Sequence, residues 1–150
     1  MARYTLIRAI MALDAKLGWK LQQMDMKTIF LNGVVEEEVY VEQPLGFKTQ
    51  DRQSHVCRLK KALYGLKQAP RTWYRRIDSF LMSLGFTKSK ADPDLYYKVV
   101  DEDQVILLLY VDDLFLTGDE KLILDSKRKL TIEFEMKDLG MMHYFLGLEV

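Results

Sequence analysis

The 150-residue chain has one cysteine and two histidines, and each scarcity removes a class of explanation. Cys57 alone forbids an internal disulfide and suits a reducing compartment. His55 and His143 have no cysteine or histidine at ligand spacing, so no zinc site is expected. No apolar run is long enough to cross a bilayer, and nothing resembles a signal peptide. These absences point to an intracellular domain, cytoplasmic or nuclear, without a membrane partner. No repeat, low-complexity tract or linker marks an internal boundary, and the length suits one domain or part of one.

One absence is local. Between Arg52 and Ile77 there is no acidic residue, against eight basic ones: Arg52, Arg58, Lys60, Lys61, Lys67, Arg71, Arg75 and Arg76. Overall, Lys+Arg 22 and Asp+Glu 22 cancel, so only this uneven distribution speaks for a polyanionic partner. For any single cation in the stretch, a solvated surface position remains the plainer reading.

What is present centres on Val105 to Gly118. Val105 to Val111 is apolar without alternation, the pattern of a strand buried on both faces. Asp112 and Asp113 follow at a turn, and Leu114 to Leu116 returns as a second strand. Asp is common in turns, yet two-residue hairpin turns favour Asn-Gly or Asp-Gly. Adjacent anions between buried strands also call for a cation, for which a divalent metal is the usual choice. Both readings stand on these residues alone.

Elsewhere, Leu6, Ile10, Leu13 and Leu17 predict one face of a helix ending at Gly18. Trp19 to Met26 predicts a strand, and Asp25 to Gly33 a short helical turn. Short strands are expected at Val39–Val41 and Val56–Leu59. A loop from Leu63 opens a helix near Pro70, with Trp73, Ile77, Phe80, Leu81 and Leu84 inward and Gly85 as its stop. Leu95 to Val100 pairs with Val105 to Val111, Asp119 caps a helix running to about Phe134, and Met142 to Val150 forms a last strand. The irregular mixture predicts an α+β fold, a mainly antiparallel mixed sheet with helices packed on one face. On such a sheet Asp25 could meet Asp112, the two-carboxylate arrangement that holds a pair of divalent ions for phosphoryl chemistry.

Several stretches together resemble the reverse transcriptase domain of Ty1/copia-type retrotransposon polyproteins. They are Gln23 to Gly33, Glu37 to Tyr40, Gln43 to Phe47, Leu59 to Arg71 and Trp73-Tyr74. Tyr110-Val111-Asp112-Asp113, Met136 to Gly140 and Phe145 to Glu149 complete the set. They span nearly the whole chain in order. The resemblance implies a right-hand polymerase palm with part of the fingers. It implies RNA-directed DNA synthesis, joining a dNTP to a primer 3′-hydroxyl on an RNA or DNA template. Asp25 and Asp112 would hold two Mg²⁺ (Mn²⁺ as substitute), with Asp113 in support.

By the same resemblance, Met26, Lys27, Thr28 and Ile29 would help hold the triphosphate. Phe30 would exclude a 2′-hydroxyl, and Tyr64-Gly65 would pack against the new base pair. Lys67, Arg71 and Tyr110 would contact template and primer; Phe30 and Tyr110 also have a plain reading as core aromatics. The remaining fingers, the thumb and RNase H would lie outside residues 1–150, with integrase and RNase H as partners elsewhere in the polyprotein. A domain truncated in this way is expected to be a poor polymerase. Two rival readings are an inactive retroelement remnant that at most binds nucleic acid, and a two-metal enzyme acting on free nucleotides.

Overall fold

The computed structural model describes residues 3–27, 38–46, 54–61, 67, 69–145 and 148–149. The chain divides into one unit made of Met1–Lys27 and Phe80–Val150, and another of Thr28–Ser79. The larger unit is built on six antiparallel strands in the order β4-β5-β6-β7-β1-β8. These are β1 (Gln22–Met26), β4 (Thr87–Lys88), β5 (Leu95–Val100), β6 (Asp103–Tyr110), β7 (Asp113–Gly118) and β8 (Met136–Met141). The apolar segment singled out in the sequence is the middle of this sheet. Val105, Leu107, Leu108 and Leu109 on β6 and Leu114, Phe115 and Leu116 on β7 are all buried. Each such side chain contributes roughly 1.5–3 kcal/mol over its exposed state.

Helix α1 (Tyr4–Leu17) ends at Gly18, whose φ of 71° is the left-handed geometry that glycine adopts without strain. Its buried residues are Ile7, Ile10 and Asp14, while Leu13 and Leu17 are exposed. The inward stripe is therefore rotated from the expected leucine stripe. The reason is competition among several apolar residues for one narrow contact: Ile7 and Ile10 pack with Leu21, Leu108, Phe115 and Met142.

The helices do not share one face, which corrects the sequence expectation. Phe115 and Leu108 are paired across β7 and β6 and face α1. Gln22, paired with Leu116 on the opposite pleat, accepts a hydrogen bond from Lys127 of helix α3 (Glu120–Glu133). So α1 covers one face and α3 the other. Asp119 caps α3 as expected, its carboxylate accepting from the Leu122 N–H at 3.0 Å. Phe134, just past α3, meets Phe80 edge-on at 5.2 Å between ring centres.

Strand limits also shift. β1 begins at Gln22 rather than Trp19, and β4 was not foreseen. β8 forms where only a motif was visible, because this edge strand is mostly exposed and shows no apolar alternation. The expected final strand is instead a small antiparallel pair, β9 (Tyr144–Phe145) and β10 (Leu148–Glu149). At the end of β7, Gly118 has φ 124°, and a Cβ there would stand 2.2 Å from the Gln104 carbonyl oxygen. Only glycine lets β6 and β7 close at that point.

In the smaller unit β2 (Tyr40–Val41) pairs with β3 (Cys57–Arg58), close to expectation. Arg58 meets Glu38 at 3.1 Å on the surface, a contact worth little by itself. Helix α2 (Ala69–Ser83) starts in this unit and ends in the larger one. Its buried positions Trp73, Ile77 and Leu81 are three of the five expected. Among the described residues, no helix is long and apolar enough to cross a membrane.

Candidate active site

Three aspartates stand on the neighbouring ends of β1, β7 and the β6–β7 turn. Antiparallel pairing sets Asp25 of β1 directly opposite Asp113 of β7, and Tyr110 of β6 opposite the same Asp113. Directly opposed side chains lie close on one face. Asp112 occupies the turn between β6 and β7, and its carbonyl oxygen accepts the Met26 N–H at 2.9 Å. That bond ties the hairpin tip to the end of β1. Two residues, Val111 and Asp112, make the turn, so Asp113 is a strand residue rather than the turn residue its sequence position predicts.

Electrostatics match this crowding. Partial loss of hydration first, and the charge of Asp25 second, push the Asp112 carboxyl above its ordinary range, although the residue keeps much of its surface in solvent. Asp113 is also raised, first by burial and then by Asp25 and Asp112, against the lowering effect of a hydrogen bond from Gln23. That bond runs from Gln23 Nε2 to Asp113 Oδ1 at 2.9 Å. Strain accompanies the charge. Val111 has φ 53°, a left-handed backbone that costs a β-branched residue about 1–2 kcal/mol. Its side chain is exposed, so packing does not explain it.

In donor chemistry the trio fits a hard divalent cation, with all-oxygen ligands whose mutual repulsion such an ion would relieve. Among the described residues, no group of three or more His, Cys, Asp or Glu side chains is gathered tightly enough to hold a metal ion.

The whole chain, residues 1–150, matches the family model described as reverse transcriptase (RNA-dependent DNA polymerase). The chain belongs to the reverse transcriptase family. Its curated relatives are Ty1/copia-type polyproteins. It is 47% identical over 150 residues to the retrovirus-related Pol polyprotein from transposon TNT 1-94 of Nicotiana tabacum, covering 99% of this chain and 11% of that protein. It is 40% identical to the corresponding polyprotein from transposon RE1 of Arabidopsis thaliana, covering 97% and 10%. Identity to the Transposon Ty1-BR Gag-Pol polyprotein of Saccharomyces cerevisiae is 30%, covering 98% and 8%. The chain thus spans about a tenth of the length of these relatives. No solved structure matches it.

Within this reverse transcriptase domain the other residues singled out by sequence fall into three groups. Thr28, Ile29, Phe30, Tyr64 and Gly65 lie outside the described residues. Lys67 and Arg71 are exposed and belong to the smaller unit. Met26 is buried, and its N–H is already engaged with Asp112, so it has no donor left for a triphosphate. The Lys27 N–H is likewise held, by the Glu135 carbonyl at 3.1 Å, leaving only its exposed ammonium group. Tyr110 is half-buried against the α1 cluster, in keeping with its core reading. Gln23 was not foreseen as a site residue. Its signal was its place two before Asp25, on the same side of an alternating strand.

Proposed function

We propose that this domain is the palm and part of the fingers of an RNA-directed DNA polymerase, joining a dNTP to a primer 3′-hydroxyl on an RNA or DNA template. The observation that carries the proposal is the convergence of Asp25, Asp112 and Asp113 at adjoining strand ends, in a member of this family. Asp25 and Asp112 would hold two Mg²⁺, or Mn²⁺, with Asp113 in support. Ions bound there supply activation of the attacking hydroxyl and neutralisation of the triphosphate and departing pyrophosphate.

The chain's own residues do the positioning. The strand register fixes Asp25 against Asp113, and the Met26–Asp112 backbone bond fixes the hairpin tip. The exposed Lys27 ammonium is a cation for phosphates, and in the smaller unit Lys67 and Arg71, both exposed, are the candidates for template and primer phosphates. Phe30 stands as the group excluding a 2′-hydroxyl, and Tyr64-Gly65 as the contact to the new pair.

The test is single-nucleotide extension of a labelled primer on an RNA template, with the chain in excess and Mn²⁺ present. Incorporation abolished by Asp112→Asn is expected. Incorporation no greater than that of Asp112→Asn contradicts the reading and favours an inactive remnant, for which the motivating observation is that no group of three or more such ligands is gathered among the described residues.

A further inference from the structure

Two adjacent aspartates in one motif sit in different environments, and a glutamine makes the difference. Asp113 is half-buried on β7 and has Oδ1 occupied by the Gln23 amide at 2.9 Å. Asp112, one residue earlier, is exposed at the turn. Among the described residues, no side-chain hydrogen bond reaches the carboxylate of Asp112 or of Asp25. The register explains why Gln23 finds Asp113. Asp25 is opposite Asp113 and Gln23 is opposite Phe115, so Gln23 and Asp113 are diagonal neighbours on one face. An amide nitrogen can only donate, and a carboxylate can only accept, which fixes the sense of the bond.

We infer that Gln23 is a positioning residue of the active site: it holds Asp113 in one orientation with Oδ1 engaged, leaving Oδ2 as the oxygen available to a cation. The inference rests on the metal-binding reading above and deepens it. A carboxylate that ligates a metal needs its orientation fixed by an outer hydrogen bond, and loss of such a partner typically weakens metal binding by about 10–100-fold. Gln22 provides an internal control. It is the next residue on the same strand but faces the opposite side of the sheet, where it accepts a hydrogen bond from Lys127.

The experiment is a Mn²⁺ titration of the full chain followed by electron paramagnetic resonance, with thermal unfolding measured on each sample. Gln23→Leu is expected to raise the Mn²⁺ Kd about ten-fold or more, while Gln22→Leu leaves the Kd within about two-fold. A purely structural role for Gln23 would move the unfolding temperature and leave the Kd alone, and that result overturns the inference. Equal weakening by Gln22→Leu overturns it as well, since the effect would then belong to the strand as a whole. If wild type binds Mn²⁺ and Asp112→Asn does not, the metal-binding reading stands whatever Gln23→Leu shows. No binding by folded wild type overturns both.

Discussion

Removing one hydroxyl outside the Asp25, Asp112 and Asp113 trio should destabilise the sheet by more than its size suggests. Thr117 Oγ1 donates to Asp14 Oδ1 at 2.7 Å, joining α1 to β7. Thr117 is 0% and Asp14 5% exposed, and among the described residues Asp14 Oδ2 has no hydrogen-bond partner. Burial therefore pushes the Asp14 carboxyl above its ordinary range, with the Thr117 hydroxyl partly countering it. Thr117→Val takes away the remaining partner and should cost about 2 kcal/mol, or about 4–8 °C in Tm for a domain of this size. Asp14→Leu combined with Thr117→Val removes both polar groups and should recover most of that loss. The coupling between the two sites is then at least about 1 kcal/mol.

The pH dependence has a definite sign. With its folded pKa raised, Asp14 holds its proton more tightly in the native state than in the unfolded chain. Its favourable contribution is complete below the unfolded value of about 3.9 and is lost as pH rises through the folded value. Urea unfolding of wild type and Asp14→Leu across this window isolates the effect, because the other titrating groups are common to both. The wild type should lose ground against Asp14→Leu as pH rises. Additive single-mutant effects, or wild type gaining ground with pH, would refute the reasoning.

Two further outcomes are expected. Val111→Asn, which tolerates a left-handed backbone, should raise stability by about 0.5–1 kcal/mol; a fall in Tm would show that the turn is not strained. Lys127 is buried between Gln22 and Asp138, with Nζ 2.8 Å from Asp138 Oδ1. Lys127→Met should cost about 2 kcal/mol in urea unfolding, since it deletes a charge-assisted hydrogen bond. A gain in stability would mean that the cost of burying the ammonium exceeds what its partners return.

The parts of the fold written as dense apolar runs were legible. β5 occupies Leu95–Val100 as expected, and β6 and β7 differ from expectation only at their ends, because a buried run has one sensible place to go. Asp119 as a cap and Gly18 as a stop were equally readable, being local chemistry. What failed depends on partners distant in sequence. Whether Leu13 or Ile7 faces inward is decided by the sheet beneath α1, and β8 exists because β1 offers it an open edge. At the site, Asp25 and Asp112 could be paired by motif, but the Gln23–Asp113 bond needs the register of β1 on β7, which no local pattern states. The strain at Val111 was hidden because valine gives no hint of a left-handed turn.

We propose that Asp25 and Asp112 form a divalent-cation site for nucleotidyl transfer. The measurement that tests it most directly is Mn²⁺ binding by isothermal titration to wild type, Asp25→Asn and Asp112→Asn, with circular dichroism to establish that each is folded. Binding by wild type that both substitutions abolish is the predicted result. A folded wild type that takes up no Mn²⁺, or binding that survives both substitutions, would contradict it.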